Sequence, residues 1–114
     1  MSPVFLLAFI SRLDIMIYVI KSFGNDAAKD IFNGDNTKEA RRLPRSLWPI
    51  AFRKLDQINS AFRLSDLKIP PGNRLEALRG DLAGYYSIRI NEQFRIVFKW
   101  TDDGAENVKI VDYH

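Results

Sequence analysis

Gly84-Tyr85-Tyr86-Ser87-Ile88-Arg89-Ile90-Asn91-Glu92-Gln93-Phe94-Arg95-Ile96-Val97-Phe98-Lys99-Trp100 is the stretch that decides the fold. Tyr86, Ile88 and Ile90 alternate with Ser87 and Arg89. Phe94, Ile96, Phe98 and Trp100 then alternate with Arg95 and Lys99. A period of two marks a half-buried strand, so two strands meet here in a hairpin. A two-residue loop would set Ile88 beside Arg95 and mix the faces. A three-residue loop, Asn91-Glu92-Gln93, sets Ile88 beside Ile96 and Arg89 beside Arg95. A one-residue slip turns every side chain over, so the second register is the one expected.

Downstream, Asp102-Asp103-Gly104 is a hairpin turn signal and Asn107 to Tyr113 a further strand. The same reasoning sets Ile96 beside Ile110 and Val97 beside Lys109. Tyr113 then shares the polar face with Arg95 and Lys99, whereas Asp112 and His114 have the opposite parity. Upstream, Arg74 to Leu78 reads as a short strand. Ser65 to Asn73, with Ile69-Pro70-Pro71-Gly72-Asn73, reads as a loop. From about Lys38 to Ala61 the period is helical: Leu47, Ala51, Leu55, Ile58 and Phe62 make an apolar stripe. Pro44 and Pro49 split that stretch or mark first turns. Asn25 is an expected N-cap for a short helix carrying Ala27, Ala28, Ile31 and Phe32, and Gly34 its stop. Met16 to Phe23, rich in β-branched residues, is the expected first strand. The fold class is α+β, with two layers: an N-terminal strand and two helices packed on a mostly antiparallel sheet of four to five strands.

The 114 residues make one domain. Residues 16–114 form it, and 1–15 read as an upstream extension or dispensable arm, Met16 being a second possible start. The uncharged run from Ser2 to Ser11 is too short to span a bilayer. A short membrane anchor is the alternative. Without cysteine there is no disulfide framework and no Cys-based zinc site, and a single histidine gives no His-rich metal site. The net charge is +3, and the excess sits in the helical half: residues 1–69 hold eleven Lys/Arg against seven Asp/Glu, residues 70–114 six against seven. Arg41, Arg42 and Arg45, beside Lys38, can meet RNA phosphates, an acidic protein or only water.

The C-terminus concentrates proton-handling groups. Asp112, Tyr113 and His114 close the chain, with Arg79, Arg89, Arg95 and Lys99 upstream. Cleavage of RNA through its own 2′-hydroxyl needs one proton removed, another donated, and the charge growing on phosphorus neutralised. Arg79 and Arg95 are the best cations, because a guanidinium forks onto phosphate oxygens and stays charged. Tyr113, His114 and Asp112 are the proton-handling group, and Glu76 is a further candidate. Each also has a plainer reading: a solvated or salt-bridged surface residue for the arginines, packing at a sheet edge for Tyr113, a structural acceptor for Asp112 and an exposed tail for His114. Trp48, Phe52, Phe94, Phe98 and Trp100 could be stacking platforms for bases, but most read more simply as core because they fall on apolar stripes; Tyr85, on the polar face, is the one aromatic kept as a base contact.

These residues resemble the HigB toxins, a branch of the RelE-like bacterial toxin superfamily. The similarity is carried by Ile20-Lys21-Ser22-Phe23, by Pro70 to Leu78 with Gly80-Asp81, by Gly84 to Asn91, by Phe94 to Phe98, and by Val111-Asp112-Tyr113-His114. It implies a compact RelE-like fold and a cytoplasmic, ribosome-dependent endoribonuclease. Such an enzyme cuts message in the ribosomal A site by 2′-hydroxyl attack, with neither metal nor cofactor. It also implies a helix-turn-helix, HigA-like antitoxin as partner, contact with ribosomal RNA, and no stable membrane association. By the same resemblance Asp112, Tyr113 and His114 match the family's terminal catalytic run, Arg79 its basic position before Gly-Asp, and Arg95 its central-strand arginine. Arg74, Arg89, Lys99 and Tyr85 would position the RNA. Glu76 departs from the pattern: better-studied members carry a histidine there. The alternative is therefore a weakly active or non-catalytic module that binds ribosome or antitoxin, blocking translation or acting as an operon corepressor.

Overall fold

The computed structural model describes residues 19–113. The expected extension, the first three positions of the expected first strand (16–18) and His114 lie outside the described residues. Five strands form one sheet: β1 (Val19–Ile20), β2 (Glu76–Ala77), β3 (Tyr85–Arg89), β4 (Phe94–Thr101) and β5 (Gly104–Asp112). Their order is β1-β5-β4-β3-β2, with β1 parallel to β5 and every other pair antiparallel. Two helices, α1 (Asp26–Asn33) and α2 (Trp48–Ser60), cover one face.

The hairpin register is the expected one. Ile88 pairs with Ile96 and Arg89 with Arg95; Ile96 pairs with Ile110 and Val97 with Lys109. Beyond Val97 the alignment of β4 with β5 slips by one residue, and Asn107 takes a left-handed φ of 55°. That bulge interrupts the alternation, so β5 begins at Gly104 rather than at the expected Asn107. A Cβ on Gly104 would collide with the carbonyl oxygen of Val19, so glycine is what lets β1 lie alongside.

The core lies between the helices and the sheet. Ala28 and Ile31 of α1 and Ala51, Leu55 and Ile58 of α2 meet Ile88, Ile96, Phe98, Val108 and Ile110. Asn25 caps α1 as expected: its Oδ1 accepts from the Ala28 N–H at 3.1 Å. The same side chain also bonds both backbone groups of Ile110, donating to its carbonyl at 2.8 Å and accepting from its N–H at 3.3 Å. One amide thus fixes a helix start to the last strand. Gly34, at φ 78°, ends α1.

The expected long helical stretch divides at its prolines into two 3₁₀ turns, Ala40–Arg42 and Arg45–Leu47, before α2 begins with Pro49 in its first turn. α2 stops at Ser60, so Phe62 leaves the stripe and is exposed, while Ala61 is buried in its place. The expected loop holds two further 3₁₀ turns, Leu64–Lys68 and Pro71–Asn73, pinned by buried Asn73, whose Nδ2 donates to Gln57 Oε1 at 3.0 Å and to the Leu67 carbonyl at 3.1 Å. Among the described residues no helix is long and apolar enough to cross a membrane.

Candidate active site

The face of the sheet opposite the helices gathers several of the expected site residues. Strand parity places Glu76, Tyr85, Ser87, Arg89, Arg95, Val97, Lys99 and Lys109 on it. Tyr113 follows by parity, its N–H donating to the Gln93 carbonyl at 2.6 Å.

Arg95 is the centre of this face, and it is buried, with 7% of its surface exposed. Charged side chains are seldom buried unless their hydrogen bonds are met. Here Nε donates to Ser87 Oγ at 2.8 Å, and Nη2 donates to the Arg74 carbonyl at 2.6 Å and the Ser87 carbonyl at 3.4 Å. All three acceptors are neutral, so the guanidinium is aimed without losing its charge. The Tyr113 ring lies against it, 5.3 Å from Cζ to the ring centroid, within cation–π range. Glu76 Oε1 stands 3.9 Å from Nη1. That distance is an ion pair and longer than a hydrogen bond, so Nη1 keeps its donors.

The structure therefore brings Arg95, Glu76 and Tyr113 together. Arg74 sits at their edge in the left-handed region, φ 47°, and gives Arg95 its carbonyl. Arg89 neighbours Arg95 across the ladder and pairs with exposed Glu92 at 3.8 Å. Tyr85 stands opposite Lys99; its hydroxyl accepts from Asn107 Nδ2 at 2.8 Å, and Lys109 Nζ lies 6.0 Å from its ring centroid.

Other expected residues fall elsewhere. Asp112 pairs with Phe94 on the opposite face, accepts from Gln93 Nε2 at 3.0 Å, and lines a separate cleft of about 800 Å³ with Asn25, Asp26, Glu39 and Arg42. It is not gathered with Tyr113, because neighbouring strand residues point to opposite faces. Arg79 stands past the end of β2, exposed, and among the described residues no contact links its side chain to Arg95 or Tyr113. Arg41, Arg42 and Arg45 belong to the helical layer, engaged with Asn36, Glu39 and Trp48 respectively. Trp48 is half-buried and donates from its indole to the Leu43 carbonyl, and Phe52 stacks on Phe32.

Three residues had escaped the sequence reading. Ser87 and Gln93 position Arg95 and the C-terminal segment. Lys109 adds a cation to the open face. For Ser87 the signal was present: the Arg89–Arg95 register makes it the diagonal neighbour of Arg95.

The sequence pattern of a known family, described as the RelE-like toxin of type II toxin-antitoxin system HigB, matches residues 21–114. The chain belongs to this HigB-like toxin family. A Toxin HigB-1 of Vibrio cholerae serotype O1 is 47% identical over 73 residues, 64% of this chain and 77% of that one. An uncharacterized protein of Haemophilus influenzae is 36% identical over 67 residues, 59% of this chain and 66% of its own. In three dimensions this HigB-like toxin is similar to the YoeB dimer structure from Staphylococcus aureus, with a TM-score of 0.51 at 21% identity, over 85% of this chain and 97% of that one. At that identity the likeness speaks for the RelE-like fold alone.

Proposed function

We propose that this HigB-like toxin is a ribosome-dependent endoribonuclease that cuts message in the A site through the RNA's own 2′-hydroxyl, without a metal, leaving a 2′,3′-cyclic phosphate. The observation that carries this reading is the buried Arg95, held by neutral oxygens with Tyr113 laid against it. Such a cation is oriented before substrate arrives and is aimed at charge that develops on phosphorus. Arg95 stabilises the five-coordinate phosphorus. Tyr113, with its side chain partly in solvent, exchanges a proton with the reacting oxygens. Glu76, in the position where better-studied relatives hold histidine, is the base for the 2′-hydroxyl. His114 is a second proton carrier and Arg79 a further phosphate contact. Asp112 orients the terminus through Gln93. Arg74, Arg89, Lys99 and Tyr85 hold the flanking RNA, and Arg41, Arg42 and Arg45 meet ribosomal RNA. The site of action is the cytoplasm, and a HigA-like helix-turn-helix antitoxin is the neutralising partner.

Primer extension on message from cells expressing the chain tests the reading. Discrete cuts within codons, lost in Arg95→Ala and Tyr113→Phe, are expected. Stalled translation over intact message would overturn it. One observation favours a second reading, a non-catalytic translation blocker or corepressor: the Glu76 carboxylate 3.9 Å from Arg95 competes with phosphate for the cation. Glu76→Gln distinguishes the two. It abolishes cutting if Glu76 is the base, and strengthens ribosome binding if Glu76 only screens Arg95.

A further inference from the structure

Lys54 of α2 is half-buried, and its ammonium donates to the carbonyl of Arg89 at 2.6 Å. The reason that carbonyl is free lies in β2. Glu76 pairs with Ser87, and Leu78 N–H donates to the Tyr85 carbonyl. Bonded pairs recur every second residue in an antiparallel ladder, so Arg74 N–H would come next, opposite Arg89. Arg74 instead turns left-handed and donates to the Pro71 carbonyl at 3.1 Å. The ladder stops, and Lys54 reaches over the sheet edge to the acceptor left behind.

One of three ammonium donors is used there. Among the described residues no carboxylate lies within ion-pair distance of Lys54 or of Arg53 beside it. Burial, and then repulsion from Arg53, Arg89 and Arg95, hold the Lys54 ammonium below the usual lysine range. Arg53 and Lys54 open onto a cleft of about 510 Å³ whose far wall is Pro70, Gly72 and Asn73; Asp56 is the one acidic residue along it. Arg89 and Arg95 each have a carboxylate within 4 Å, whereas Lys54 and Arg53 share none among the described residues, so an anion in the cleft would offset the repulsion on Lys54.

We propose that Lys54, flanked by Arg53, is a phosphate-binding residue that takes the RNA backbone phosphate next to the one held at Arg95. The proposal rests on the RNA-cutting reading above and adds a second phosphate contact to it. RNA is favoured over an acidic protein segment because Lys54 is bonded to the backbone of Arg89, whose side chain stands beside Arg95 on the open face.

The test uses the full chain, ribosomes programmed with a defined message, and single neutral methylphosphonates placed on either side of the cut. Lys54→Met should lose about tenfold in kcat/KM on the unmodified message, the share of one charged hydrogen bond. A methylphosphonate at one flanking position should slow the wild type equally and slow Lys54→Met no further. Lys54→Arg, which keeps charge and donor, should recover most of the rate. Losses that multiply at both flanking positions would overturn the proposal, because they would leave Lys54 only its bond to the Arg89 carbonyl. Unchanged cutting by Lys54→Met would also overturn it, and weakened antitoxin binding in that case would assign the residue to the protein partner instead. Should the wild type cut nothing, the nuclease reading fails separately. The same comparison, read as affinity for the programmed ribosome, still decides the phosphate contact.

Discussion

Ser87→Ala isolates the hydrogen bond on which the orientation of Arg95 depends. Ser87 is fully buried, and among the described residues its Oγ is the only acceptor of the Arg95 Nε–H, at 2.8 Å. The two bonds from Nη2 go to backbone carbonyls and survive the change. The variant therefore leaves one donor of a buried cation unmet, which costs about 1–3 kcal/mol. Taking about 2 kcal/mol, a chain of this length should melt about 8 °C lower. In an Arg95→Met background the hydroxyl has no cation to serve, and the same change should cost under about 0.5 kcal/mol. The difference between the two backgrounds, measured by urea unfolding, is the coupling between Ser87 and Arg95. Message cutting should fall about tenfold in kcat with KM nearly unchanged, since a cation left free to turn no longer waits in the transition-state geometry. An equal stability cost in both backgrounds, or a melting shift under about 2 °C with full cutting, would refute the claim that Ser87 sets the aim of Arg95.

Other perturbations follow from single contacts. Asn25→Ala removes the cap on α1 and both bonds to Ile110, so urea unfolding should show a loss of about 2–3 kcal/mol at an unchanged m-value. Gly104→Ala drives a methyl into the Val19 carbonyl, so β1 should detach and the Lys21 amide, bonded to the Ala105 carbonyl at 2.7 Å, should exchange much faster with deuterium. Arg74→Gly relieves a left-handed backbone while keeping the carbonyl that holds Arg95. It should raise stability by about 1 kcal/mol and still bind message less well. For Lys54 the sign follows from its lowered pKa. The folded state disfavours the ammonium, so the penalty is present in full below the folded pKa and is relieved as pH rises from there towards 10.5. Any melting-temperature advantage of Lys54→Met over the wild type should therefore be largest near neutral pH and shrink across that window; a constant difference would count against it.

The sheet was legible because its apolar alternation is unbroken where it matters. From Tyr86 to Trp100 a slip of one residue would expose four large side chains, so the sequence admits one register. Legibility failed where a backbone choice, not a side-chain pattern, decides the outcome. The left-handed Asn107 adds a residue to β5, and the alternation around Glu106 then gives the wrong starting point for that strand. The left-handed Arg74 shortens β2 to two residues, although Arg74 to Leu78 carries a pattern long enough for five. The candidate site divides in the same way. Parity placed Tyr113 beside Arg95 and Asp112 away from it. Parity says nothing of depth, and beside the Ser87 hydroxyl the burial of Arg95 depends on two backbone carbonyls, which no residue identity announces. Lys54 was invisible for the same reason: its partner is the carbonyl of a residue 35 positions away, made available by a turn at a third place.

That turn links the two basic positions physically. One left-handed residue, Arg74, does two things: its carbonyl accepts Arg95, and its N–H, turned back to Pro71, leaves the Arg89 carbonyl for Lys54. Both cations are thereby held by backbone oxygens. Carboxylates bonded in the same places would have held them as firmly, but would have neutralised the charge that the proposed phosphate contacts need. The strain of a non-glycine residue at φ 47° is of order 1–2 kcal/mol. Its consequence is a pair of oriented, incompletely neutralised cations, Arg95 on β4 and Lys54 on α2. Lengthening β2 by restoring extended geometry at Arg74, for example with Arg74→Val, pairs Arg74 N–H with the Arg89 carbonyl and displaces both side chains at once. Cutting should then fall by more than the product of Ser87→Ala and Lys54→Met, because one backbone change removes the support of both proposed phosphate contacts. If Arg74→Val cuts as well as Arg74→Gly, the two cations are held independently of the turn.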